Sequence, residues 1–189
     1  CSIEQIANQS APLYEDDPRY VIDESLWSQL DNQNRAGLIL HEIIYREALE
    51  QGHNNSVSTR YLNANMSSRK IESMSIVDYT RFLIDLDFTT TTVNDVHISI
   101  KPDAPLFGEN GFLLQAKVVD GSELLWASNI LNLRDEIYFF PGGRLQKLSL
   151  KGAHHFKVFG KRRAIAPYEM SFFESGDLKS FTLSEPSAF

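Results

Sequence analysis

The feature that most constrains this chain is a ten-residue motif that occurs twice towards its C-terminal end. Glu136-Ile137-Tyr138-Phe139-Phe140-Pro141-Gly142-Gly143-Arg144-Leu145 leads to Ser149-Leu150. Thirty-three residues on, Glu169-Met170-Ser171-Phe172-Phe173-Glu174-Ser175-Gly176-Asp177-Leu178 leads to Thr182-Leu183. The shared pattern is Glu-(Ile/Met)-x-Phe-Phe-x-x-Gly-x-Leu, then (Ser/Thr)-Leu. An aromatic strand, a turn whose glycine takes positive φ and a second strand opening on leucine make a β-hairpin. Between the copies, Phe156–Phe159, Gly160-Lys161 and Arg162–Ile165 read as a further hairpin. Two copies are fewer than the three or so that a self-supporting array needs, so the pair is expected to extend a sheet that precedes it.

That sheet is legible upstream. Phe88–Val93 is a Thr-rich β run, Val96–Ile100 alternates, and residues 102–111 form a loop with two prolines and two glycines. Phe112, Leu114, Ala116 and Val118 alternate with Gln115 and Lys117, Asp120-Gly121 signals a tight turn, and Glu123–Ala127 is expected to return beside the first strand.

Before residue 88 the hydrophobic period is helical. Ala36, Leu40, Ile43 and Ile44 share one face of a helix from about Gln33 to Gln51, ended by Gly52. A second helix is expected over 56–66 with Val57, Tyr61 and Leu62 inward. A third is expected over 75–84 with Ile76, Tyr79 and Leu83 repeating. Asp23 or Ser25 is placed to cap a short helix carrying Leu26, Trp27 and Leu30. The fold class is therefore α+β: an N-terminal three-helix cluster, then an antiparallel β-rich half with hairpin repeats. The expected organisation is an extended N-terminal tether over 1–22, a helical region over 23–87 and a β region over 88–189, with repeats at 136–150 and 169–183.

Composition bounds the function. The 189 residues are 42% hydrophobic, enough for a substantial core, and no apolar run approaches the roughly 18 residues that would span a bilayer. The formal charge of −7 argues against a general nucleic-acid binder. Charge is uneven: residues 1–50 carry ten acidic and three basic side chains, whereas 134–189 carry six acidic and nine basic. Lys157, Lys161, Arg162 and Arg163 are the densest basic cluster, read either as a solvated hairpin rim or as a surface for an anion, a cell-wall polymer or an acidic partner.

Chemistry concentrates on one helix. In Leu38-Ile39-Leu40-His41-Glu42-Ile43-Ile44-Tyr45-Arg46-Glu47, one helical turn brings His41 and Glu42 near Tyr45. His-Glu-x-x-His is the zinc-protease pattern because two imidazoles at i and i+4 share a metal while the glutamate activates its water. Here Tyr45 replaces the second histidine, and a catalytic zinc needs three protein ligands. A metal-dependent hydrolase with His41 as ligand, Glu42 as base and zinc as cofactor is thus one reading. The plainer one is no cofactor, with His41 hydrogen-bonded beside the apolar face and Glu42 ion-paired to Arg46. A buried polar network positioning a binding site, with Glu42, Arg60 and Tyr61 as partners of His41, lies between them. Metal, phosphate-loop, Gly-x-Ser-x-Gly and calcium-loop motifs are otherwise missing from the sequence.

Two resemblances add expectations. The single cysteine, Cys1, followed by Ser2 and a polar stretch through Gln9 and Ser10, resembles the start of a mature bacterial lipoprotein. That implies lipid attachment at Cys1, a membrane contact through that lipid alone, and a periplasmic, outer-membrane or secreted location. The alternatives are an accidental boundary and a cysteine nucleophile on a free N-terminus, for which no partner groups are legible. Gly37–Ala48, Gly52-His53, Asn55-Ser56-Val57 and Arg60-Tyr61-Leu62-Asn63 resemble uncharacterised secreted or envelope proteins of Bdellovibrio-type bacteria. The aromatic–glycine hairpins are similar to MORN-like repeats, which implies a β-scaffold or interaction surface. Together these imply a bacterial envelope protein acting as a binding or structural module for an unidentified protein or envelope ligand. His41, Glu42, Tyr45, Arg46, Arg60, Lys161, Arg162 and Arg163 are the candidate binding residues.

Overall fold

The computed structural model describes residues 5–10, 14, 16–126, 129–152, 154–158 and 161–183, without the side chains of 156–158, 161–167 and 182–183. Cys1 and the side chains of Lys157, Lys161, Arg162 and Arg163 therefore lie outside the described residues. The fold is α+β with a β-rich second half, as expected. It divides into two compact units, residues 1–73 and 74–189. Among the described residues, no helix is long and apolar enough to cross a membrane.

In the first unit, β1 (Ala7–Gln9) and β2 (Tyr20–Ile22) form an antiparallel hairpin in which Asn8 faces Val21. α1 (Glu24–Trp27) starts at Asp23, whose carboxylate accepts from the amides of Ser25 and Leu26. α2 (Asn32–Glu50) starts at Asp31, which accepts from the Asn34 amide at 2.8 Å. Such caps satisfy amide donors that a helix start leaves open. Gly52, at φ 89°, takes the left-handed turn that stops α2. α3 (Val57–Ser67) and a single 3-10 turn over Lys70–Ser73 complete the unit. The face of α3 differs from expectation: Thr59 and Leu62 are buried, whereas Val57 and Tyr61 are 47% and 62% exposed.

The second unit begins with α4 (Ile76–Asp85), the third expected helix. Ser75 caps α4 by accepting from the Asp78 amide at 3.1 Å while its hydroxyl donates to the Asp78 carboxylate at 2.6 Å. β3 (Thr90–Val93) and β4 (Val96–Ser99) pair across Asn94 and Asp95, both at positive φ. The remaining strands are β5 (Leu106–Phe107), β6 (Leu113–Lys117), β7 (Glu123–Trp126), β8 (Asn129–Phe139), β9 (Leu145–Leu150), β10 (His154–Val158), β11 (Lys161–Phe172) and β12 (Leu178–Leu183).

The expected hairpin between Phe112–Val118 and Glu123–Ala127 does not form. β6 and β7 lie one after the other along the same strand: β6 pairs with residues 136–138 of β8 and β7 with residues 129–132. The Val118 amide donates to Asp135 O at 2.7 Å, and the Leu133 amide donates to Ser122 O at 2.8 Å. Asp120-Gly121 is thus an excursion within one long edge. It also receives β4, because the Val119 amide and the Ser122 hydroxyl both donate to His97 O, at 3.0 and 2.9 Å.

Both sequence repeats are hairpins with one turn geometry. Phe140 N–H donates to Arg144 O at 2.7 Å and Gly143 N–H to Phe140 O at 2.8 Å; Phe173 N–H donates to Asp177 O at 2.8 Å and Gly176 N–H to Phe173 O at 2.9 Å. A third copy, missed in the sequence, precedes them. Gly108 N–H donates to Phe112 O at 2.9 Å and Gly111 N–H to Gly108 O at 2.8 Å. Gly111, Gly143 and Gly176 all take positive φ, at 79°, 81° and 95°. The pairs Phe107–Leu113, Phe139–Leu145 and Phe172–Leu178 close the three hairpins alike. Successive turns are also tied: the Asn110 side chain donates to Pro141 O and the Arg144 guanidinium donates to Glu174 O, each at 2.8 Å. Pro141 and Glu174 hold equivalent places in their copies. The core of this unit runs through Ile98, Leu131, Ile137, Leu148, Met170 and Phe172, each essentially inaccessible.

Candidate functional site

The helix singled out by its His-Glu-x-x-Tyr sequence is covered by the β1–β2 hairpin. Gln9 fixes it there: its amide donates to the Glu42 carboxylate at 2.9 Å and to the Glu42 backbone carbonyl at 3.2 Å. Two clefts flank the hairpin. One, of about 500 Å³, is lined by residues 5–9 along with His41, Glu42, Tyr45, Leu49 and Ser56. The other, of about 290 Å³, is mostly apolar and is lined by Tyr20, Ile22, Trp27, Ile39 and Ile43, with Glu42 and Arg46 beside them. Glu42 belongs to both walls.

The structure brings His41, Glu42 and Tyr45 together and rearranges their expected partners. The His41 and Tyr45 rings lie 6.1 Å apart at 33°. Burial holds the His41 imidazole below its ordinary pKa; Glu42 pulls it back up and the Arg60 guanidinium pushes it further down. The expected Glu42–Arg46 ion pair is replaced. Arg46 binds Glu47 at 3.1 Å and approaches Glu50 at 4.0 Å, because Gln9 already holds Glu42. Arg60 sends its Nε to Ser56 O at 3.4 Å and reaches His41 only through its charge. Tyr61, expected beside His41, is largely exposed. Among the described residues, no three His, Cys, Asp or Glu side chains converge as a metal site would require.

Two polar groups of the α2–α3 pair were not anticipated. Asn63 donates to Gly37 O at 3.2 Å, joining the two helices. Thr59 is fully buried, and its hydroxyl has no hydrogen-bond partner among the described residues. The sequence carried a weak signal for both, since Thr59 and Asn63 recur four apart on one helical face. Thr59→Val keeps the shape and removes the orphaned hydroxyl, so stability to urea should stay level or rise by up to about 1 kcal/mol.

The His41 shift has a sign that can be measured. Its folded-state pKa lies below 6.5, the value of an unperturbed imidazole, so the fold favours the neutral ring. The resulting contribution to stability is present above pH 6.5 and is lost as pH falls through the depressed value. An NMR titration of the ring proton should show His41 titrating below 6.5, and Arg60→Ala should move it upward. An upward displacement in the unaltered protein would contradict this electrostatic picture.

Comparison with protein families, curated proteins and solved structures finds no match.

Proposed function

We propose that the protein is a binding module whose ligand seats in the cleft between β1 and the His41–Tyr45 face of α2. The observation that carries this reading is the cleft itself. Polar side chains of Gln9, His41, Glu42 and Tyr45 converge on about 500 Å³ of space whose walls also include apolar Ile6, Leu38 and Leu49. Concavity with a few converging polar groups on apolar walls is the usual composition of a small-ligand site. The carboxylate on its wall is engaged structurally, Glu42 by Gln9, which favours recognition over catalysis. A hydrolytic metal centre on His41 and Glu42 would need further ligands, and no described group of three supplies them. With eleven acidic and six basic side chains in residues 1–73, the unit suits a neutral or cationic ligand.

The test is backbone NMR of the full chain titrated with N-acetyl amino-acid amides, the lysine and arginine members included. Shifts should concentrate at residues 5–9 and 38–49, and Tyr45→Ala should weaken the strongest binder at least tenfold, about 1.4 kcal/mol. Shifts spread over both units, or indifference to Tyr45→Ala, would contradict the proposal.

A further inference from the structure

The three hairpins add to one another in a single register, and one end of that register pairs with no strand among the described residues. Between the first and second copies, Gln115 faces Tyr138, Ala116 faces Ile137 and Lys117 faces Glu136. Between the second and third, Lys147 faces Ser171, Leu148 faces Met170 and Ser149 faces Glu169. These are equivalent positions at offsets of 32 and 33 residues. The Val118–Asp135 hydrogen bond lies in the register of the Ala116–Ile137 pair. Bonded and non-bonded pairs alternate along an antiparallel ladder. Ala116 therefore exchanges hydrogen bonds with Ile137, while Gln115–Tyr138 is a close, non-bonded pair.

Carried one copy further, the residue equivalent to Ala116 and Leu148 is Phe181, and the residue equivalent to Gln115 and Lys147 is Ser180. The N–H and C=O of Phe181 then point to the side of β12 that pairs with no strand among the described residues. The other end of the array is closed by its sequence. The first-copy equivalent of Ile137 and Met170 is Pro105, which has no N–H to give, and β5 is two residues long against six in β12.

We propose that the outer edge of β12 is a docking site for an extended segment of a partner protein with the pattern Glu-(Ile/Met)-x-Phe. The segment pairs as the first strand of a fourth hairpin. What identifies this occupant is continuity with the ladder already built twice in the fold. Its aliphatic residue enters the row of Ile137 and Met170, both fully buried, and its phenylalanine enters the row of Phe107, Phe139 and Phe172. A second copy of this chain cannot supply that strand: β8 and β11 already pair on both edges, and β5 follows Pro105. This surface is separate from the cleft on α2, and neither proposal depends on the other.

The register gives the test. The full chain carrying Cys1→Ser and Ser180→Cys is mixed with a synthetic peptide of residues 134–140 bearing Tyr138→Cys, and oxidised with glutathione disulfide. A close non-bonded pair sits about 4.5 Å apart between Cα atoms, within the roughly 4.4–6.8 Å that a disulfide needs. The mixed disulfide should form at least tenfold faster than with the same peptide bearing Ile137→Cys, whose thiol points to the opposite face. Circular dichroism of the variant confirms that it is folded before reaction. Equal rates for the two peptides, no reaction, or a disulfide-linked dimer of the chain that outpaces the peptide would each overturn the proposal.

Discussion

Phe172→Ala is expected to destabilise the second unit by about 3–5 kcal/mol. Phe172 is essentially buried, and the Trp126 ring packs edge-on against it with centroids 5.2 Å apart. The contact joins β7, from the first copy, to β11, from the third. The truncation therefore leaves a cavity and also removes an aromatic pair that ordinarily adds about 0.5–1.5 kcal/mol beyond area burial. Urea unfolding followed by circular dichroism measures the loss, and Trp126 fluorescence should shift to the red in the folded variant. The control is the next residue: Phe173 is 51% exposed, and Phe173→Ala should cost less than about 1 kcal/mol. Equal losses at the two positions would mean that the alternation of β11 is misread.

Gly143→Val should cost about 2–5 kcal/mol, from two separable causes. Gly143 sits at φ 81°, where a side chain bearing Cβ costs about 1–2 kcal/mol. A Cβ there would also stand 3.0 Å from Cδ1 of Phe112, the ring that the first copy lays against the second copy's turn. That crowding adds about 1–3 kcal/mol unless the ring moves away. Gly176 separates the two causes. It has the same turn and φ 95°, but nothing lies within 4 Å of a Cβ built on it. Gly176→Val should therefore show the backbone cost alone. Adding Phe112→Ala to Gly143→Val should bring its cost down towards that of Gly176→Val. If the two valine variants are equally destabilised without that second change, the stacking of Phe112 on the neighbouring turn contributes nothing.

Part of this architecture was legible from residues alone, and the exceptions have physical causes. The two aromatic copies declare their hairpins because phenylalanine, glycine and leucine each occupy a place with a distinct demand: buried strand, left-handed turn, buried return. The first copy hides because Gly108 replaces the second phenylalanine and Pro105 interrupts its leading strand, leaving only Phe107, Gly111 and Leu113 of the pattern. Asp120-Gly121 has the composition of a hairpin turn, yet flanking bonds to β8 hold both neighbouring segments on one edge. Local turn chemistry fixed the excursion there, and the long-range ladder fixed its direction.

The helical unit shows the same division. Helical periodicity located α2 and gathered His41, Glu42 and Tyr45 on it, since that proximity needs only helix geometry. It could not foresee Gln9, thirty-three residues before Glu42, whose amide displaces the expected bond from Arg46. Nor could it orient α3, because Val57 and Tyr61 are apolar enough to be expected inside, whereas Thr59 holds the buried place.

Three hairpins stack in one identical register, and Hα–Hα NOEs in the full chain measure that stacking directly. Non-bonded antiparallel pairs bring their Cα atoms to about 4.5 Å, close enough for strong Hα–Hα contacts. Gln115–Tyr138 and Lys147–Ser171 should both give such cross-peaks, at equivalent places in successive copies. A cross-peak at one of these pairs without the other, or contacts displaced by one residue between copies, would contradict the repeat.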